Sequence, residues 1–169
     1  MVRDRGRALL FAVVTSITAT MGGFAASGAS AQTARTSPAT EPEVLVRHIY
    51  DGYITKKEYE GPGESFYSPR LKSLVAAARR AAKGDEPCGM EFDFWVNGQD
   101  YSIKHVDVIR GPTVPGQRTS VTATFHNIDA TMKIIFDFRY IGGRWLLNDA
   151  QSVGGGEKWT LSRLLQCQS

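Results

Sequence analysis

Residues 101–150 alternate apolar and polar side chains with a period of two, broken at intervals by turn residues. No helix tolerates that pattern, because it would scatter the apolar groups around the axis. Strands are expected over 101–110, 118–127, 131–141 and 144–150. Gly142-Gly143 joins the last two as a two-residue hairpin turn, whose positive φ angles favour glycine. That turn would pair Tyr140 with Trp145, Phe138 with Leu147 and Phe136 with Asp149. Met132, Ile134, Phe136, Phe138 and Tyr140 then share a core face, with Lys133, Asp137 and Arg139 on the other. A second hairpin near Ile128 and Asp129 brings Val121, Ala123 and Phe125 onto the same core face.

Ahead of the strands the period changes to that of a helix. Thr40 and Glu43 stand at capping-box spacing around Pro42, and Leu45, Ile49 and Tyr53 recur one turn apart, which predicts a helix over 41–56. Gly61, Pro62 and Gly63 make 57–65 a loop. Ser68 and Pro69 suit the N-cap and first position of a second helix, with an apolar stripe of Leu71, Leu74, Val75, Ala78 and Ala82 and a stop at Gly84. WTLSRLLQCQS adds a helical turn after the flexible run Gly154-Gly155-Gly156. Helices first and an antiparallel meander afterwards give an α+β domain over 41–169, its N-terminal helices packed on a curved antiparallel sheet.

Residues 1–31 read as an address. Arg3, Arg5 and Arg7 precede the apolar run ALLFAVV, and Ala29-Ser30-Ala31 fits a signal-peptidase site. Thr15, Ser16, Thr18, Thr20, Gly22 and Gly23 dilute the run too far for a membrane span. The expected location is periplasmic or secreted, through a Sec-type signal cleaved after Ala31, with a polar linker over 32–40 and no stable membrane anchor. Three of the 20 bases and one of the 17 acids precede residue 32, so the rest of the chain is close to neutral. A nucleic-acid partner, which calls for a clustered basic face, is not expected. Export places Cys88 and Cys167 in an oxidising compartment, where one disulfide is expected to stabilise by about 4 kcal/mol in the loop-entropy model. Two free thiols are the alternative.

The phrases FYSPRL, EFDFWVNGQDY and GGRWLLND resemble those of a family of small bacterial envelope proteins known only as a domain of unknown function. Its members carry a D-x-x-x-x-x-Q-D phrase before the first strand, which here runs from Asp93 to Gln99-Asp100. Where they often place proline after the first aspartate, this chain has Phe94. The resemblance covers residues 42–166. It implies a cone-shaped fold similar to nuclear transport factor 2 and ketosteroid isomerase, in which helices and a bent sheet enclose a pocket. Folds of that kind host isomerases, dehydratases, hydrolases, carriers and binding modules, so the resemblance implies no particular reaction.

Several residues can carry chemistry in such a pocket. On the hairpin register, Asp149 is a carboxylate among core aromatics, where burial raises a pKa and suits a general acid or base. The alternative is a strand-end acid that caps backbone or pairs with arginine. His105 and Asp107 join that cavity if their face of the first strand points inward, but Val106 and Val108 on the opposite face leave the side open. Asp93, Trp95, Asn97, Gln99 and Asp100 either form a pocket mouth or cap a turn at Asn97-Gly98. Phe136 and Trp145 complete the expected lining. His48, His105 and His126 show no ligand spacing, so no metal is expected, and no cofactor fingerprint occurs.

Three functions follow, in this order. The first is a non-enzymatic envelope protein holding a small ligand or a partner in its cone. The second is a cone-fold enzyme using Asp149, with His105, for proton transfer. The third is an interaction or inhibitor module that binds through the sheet or the loop 111–117, with homodimerisation through the open sheet also compatible.

Overall fold

A computed structural model describes residues 41–56, 59, 61–82 and 89–166. Residues 1–40, on which the expected signal and linker fall, Gly84 and both cysteines lie outside the described residues. Helix α1 (Pro42–Thr55) and helix α2 (Pro69–Ala81) precede a four-stranded antiparallel sheet of β1 (Ile103–Val114), β2 (Arg118–Asn127), β3 (Ala130–Ile141) and β4 (Arg144–Gly154). A short helix, α3 (Leu161–Leu164), follows. The sheet is a curved, open meander in the order β1-β2-β3-β4, and the α+β class is as expected. Among the described residues no helix is long and apolar enough to cross a membrane.

Both long helices begin where the sequence places them, for different reasons. Glu41, rather than a capping box, occupies the N-cap of α1 and makes no side-chain cap bond. Glu41 and Glu43 instead reach Arg110 of β1, with Glu43 Oε2 2.9 Å from Arg110 Nε. The carboxylates therefore face both the positive helix end and a guanidinium. The buried face of α1, which includes Val46, Ile49, Tyr50 and Tyr53, packs on β1 and β2.

Ser68 caps α2 by accepting from the Leu71 N–H at 3.1 Å. The same residue is fully buried, donates through Oγ to Asn148 and gives its own N–H to Leu147 O at 2.7 Å. Cap and sheet anchor are thus one residue. Ser68→Ala is expected to cost about 1–2 kcal/mol, read as a lower urea midpoint, with Ser68→Thr recovering much of the loss.

The core face holds Val121, Ala123 and Phe125 of β2, Met132, Ile134, Phe136 and Phe138 of β3, and Leu147 and Ala150 of β4, all buried. Both expected hairpins form. Tyr140 pairs with Trp145, with ring centroids 5.1 Å apart, across Gly142 and Gly143 at φ 58 and 78.

Two expectations fail and one open question is answered, each at a β-bulge or strand extension. In β4 the register slips between Asp137 and Phe138, so Phe136 pairs with Ala150 and Asp149 with Asp137. Asn148 is the inserted residue; it donates to Asp137 Oδ2 at 3.0 Å and accepts from Ser68. Asp149 consequently leaves the core face. In β1 the register shifts between Lys104 and Asp107, with His105 at φ 52. Ile103 and Val108 are buried, whereas His105, Asp107 and Ile109 are exposed. Finally, 111–114 is strand and only 115–117 is turn, so the expected loop 111–117 shrinks. Pro112 is tolerated at a bulge on an edge strand, where its missing N–H breaks no ladder bond. Gly111 lies where a Cβ would stand 2.3 Å from Ser120 Oγ.

Candidate ligand-binding site

The segment 91–98 is built around Asp93. Its backbone bridges Gly98, with Asp93 N–H donating to Gly98 O at 3.1 Å and Gly98 N–H returning to Asp93 O at 3.3 Å. Asp93 Oδ1 accepts the Trp95 N–H at 2.9 Å, an Asx turn that mimics a backbone turn. Asn97 closes the tight segment at φ 55, a conformation that asparagine tolerates better than most residues. Reversing the chain this sharply drives Phe94, Trp95 and Val96 into the core. Trp95 stacks on Phe136 with centroids 4.7 Å apart and planes 27° apart, and Trp95 O accepts from the Tyr50 hydroxyl at 2.7 Å.

Between this segment and α2 lies a cleft of about 520 Å³, in the range typical of small-molecule sites. Tyr67, Val75, Ala78, Met90, Phe94 and Trp95 give it apolar and aromatic walls, with Asp93 beside them. At its rim Arg79 of α2 is ion-paired with Glu64 of the 3₁₀ turn Glu64–Phe66.

Asp93 Oδ2 also accepts from the Tyr53 hydroxyl of α1. Burial raises the Asp93 pKa above the ordinary carboxylate value, and the bonds from Tyr53 and the Trp95 N–H offset part of that rise. Tyr53 and Tyr50 are raised in turn, first by burial and then by the Asp93 charge. Tyr67 is pushed up to about 12 by burial, then by Glu64 and Asp93, with Arg79 acting the other way. A carboxyl group that resists ionisation, on the wall of an apolar cleft, can bind a cation, donate a hydrogen bond when protonated, or exchange a proton with a bound molecule.

A second depression, about 620 Å³, lies elsewhere, lined by Arg70, Ile135, Asp137, Arg139, Asn148 and Asp149 among others. Asp149 belongs here. Its Oδ1 accepts the N–H groups of Ala150 at 2.9 Å and Ser162 at 3.0 Å, and its Oδ2 accepts Ser162 Oγ at 2.6 Å. Arg70 Nη1 stands 3.9 Å away. Asp149 therefore ties β4 to α3. Asp149→Asn is expected to lower stability by about 1–3 kcal/mol, because a charge-assisted acceptor is lost opposite two donors from Ser162. A thermal unfolding comparison checks this; a variant more stable than the parent would contradict it.

The other expected site residues are dispersed. Asp93 and Trp95 line the cleft, and Phe136 lies buried beneath Trp95. Asn97 instead accepts from Trp159 Nε1 at 2.6 Å and donates to Gly155 O at 3.2 Å, bracing the C-terminal segment. Gln99 is exposed and donates to Glu91 O. Asp100 is exposed, and its carbonyl accepts from Asn127. Trp145 stays at its hairpin end beside Tyr140. His105 and Asp107 are exposed on β1, with the His105 ring 5.5 Å from that of His126. Among the described residues no group of three or more His, Cys, Asp or Glu side chains is arranged to hold a metal ion.

Sequence reasoning missed the α2 wall of the cleft and the Tyr53 partner. Val75 and Ala78 were legible only as a core stripe, and Tyr53 only as core. The signal that could have found them is that an apolar stripe wider than one packing partner leaves part of itself to line a cavity. No family model, curated protein or solved structure matches this chain.

Proposed function

We propose that this chain is an exported envelope protein that binds a small ligand in the cleft between α2 and the 91–98 segment. One observation carries the reading: a cleft with walls of Tyr67, Val75, Met90, Phe94 and Trp95 holds a half-buried acid, Asp93, that is separate from the Glu64–Arg79 ion pair also lining it. Apolar walls supply affinity and a few polar groups supply orientation, which is the usual composition of a small-molecule site. The signal-like residues 1–31 support export, and helices ahead of a curved sheet are compatible with a cone of the nuclear transport factor 2 type. The test is saturable fluorescence enhancement of N-phenyl-1-naphthylamine by the full chain. Val75→Trp, which fills the cleft from a half-buried helix position, is expected to weaken binding by about tenfold or more with the fold intact by circular dichroism. Equal binding by both proteins would overturn the cleft as the site.

One observation favours a second reading, proton transfer on a bound substrate. The raised carboxyl of Asp93 shares a hydrogen bond with Tyr53 on the cleft wall. In that reading Asp93 takes the acid–base role that the hairpin register had suggested for Asp149. Loss of turnover in Asp93→Asn with ligand binding retained would support it.

A further inference from the structure

We propose that the cleft selects an organic cation: an apolar body against Val75, Met90 and Phe94, with an ammonium or amidinium head beside Asp93. This inference rests on the cleft being a ligand site and names the class of its ligand.

The charges around the cleft point to this choice. Both hydrogen-bond donors to the Asp93 carboxyl, the Tyr53 hydroxyl and the Trp95 N–H, are neutral. Among the described residues no base forms an ion pair with Asp93. Arg79, the base that lines the cleft, is already paired with Glu64. With Asp93 ionised, the cleft therefore carries one uncompensated negative charge. A half-buried charge with no opposite charge beside it is costly, and a ligand that brings that charge relieves part of the cost. Tyr67, Phe94 and Trp95 also line the cleft, and aromatic rings near a cation attract it more strongly when water is excluded. A carboxylate ligand would meet Asp93 as a like charge, and a neutral one would leave the acid unpaired.

Selection of a cation has a pH signature. The groups that face or influence Asp93 are Tyr50 and Tyr53 of α1, Tyr59, Glu64 and Tyr67 of the connecting segment, and Arg79 of α2. The tyrosines are all raised and stay neutral near pH 7. Among them Asp93 is the carboxyl that burial holds above the ordinary value of 3.8, so its ionisation changes as pH falls toward that value. A cation bound beside it favours the ionised form, so affinity for the cation rises with pH across that interval.

Isothermal titration calorimetry on the full chain with octylammonium, octanol and octanoate tests this. Near neutral pH, octylammonium is expected to bind at least about tenfold tighter than octanol, with octanoate weakest. That lead shrinks toward pH 4, and in the near-isosteric Asp93→Asn it disappears. Octanol or octanoate matching octylammonium overturns cation selection and leaves the cleft standing as a ligand site. If neither the three probes nor N-phenyl-1-naphthylamine binds, both readings fall. Should Asp93→Asn not fold, the pH series of the unsubstituted protein decides: a lead unchanged between neutral pH and pH 4 overturns the proposal.

Discussion

Phe136→Ala is expected to cost about 3–5 kcal/mol, the range for removing a fully buried aromatic ring. Typical domains are stable by only about 5–15 kcal/mol, so the variant would stand near the edge of folding. The ring is inaccessible to solvent, sits between Val121 and Ala150 in adjacent strands, and stacks on Trp95. Trp95 in turn belongs to the wall of the cleft. Removing Phe136 therefore opens a cavity and withdraws the support under a ring of the cleft wall. Urea unfolding gives the stability loss, and N-phenyl-1-naphthylamine binding in the absence of urea gives the effect on the cleft. Phe136→Leu should recover more than half of the lost stability. A cost below about 1 kcal/mol for alanine would show that the stack does not carry the 91–98 segment.

The second effect concerns pH. Asp93 has a folded-state pKa above its unfolded value of 3.8, so the folded protein holds this proton more tightly than the unfolded chain does. The favourable contribution is complete below 3.8 and is lost as pH rises from there through the folded pKa, beyond which the curve is flat. The sign is opposite to that of a salt-bridged aspartate, because burial outweighs the Tyr53 and Trp95 bonds. Asp93→Asn removes this titration and leaves the other carboxylates in place. The stability of the parent relative to the variant should therefore fall as pH climbs through that window. Urea midpoints of both proteins at several pH values measure it. A parent that gains on the variant with rising pH would mean a depressed Asp93 pKa and a carboxylate content with its neighbours.

The helices and hairpins were legible because their signals are local. Ser68-Pro69 marks a helix start within two positions, and Gly142-Gly143 fixes the turn that pairs Tyr140 with Trp145. What alternation could not show is where a strand takes in an extra residue. One inserted position reverses the facing of everything beyond it. At Asn148 the insertion is held by Asp137 and by Ser68, a residue 80 positions away, and nothing in the adjacent sequence announces it. That single slip moved Asp149 from the core face to the contact with Ser162, and a bulge at His105 similarly turned His105 and Asp107 outward. The Asp93–Asp100 phrase was legible as a cluster of polar groups around a tryptophan. Its division into one cleft acid and several bracing residues depends on Tyr53, Asn127 and Trp159, which arrive from α1, β2 and the C-terminal segment.

The most direct test of the cleft as a ligand site is methyl NMR of the full chain during titration with N-phenyl-1-naphthylamine. Shift changes concentrated at the methyl groups of Val75, Ala78 and Met90, which line the cleft, are the expected result. Changes concentrated instead at Ile135 and Ala150, in the depression that holds Asp149, would contradict it and move the site to the other depression.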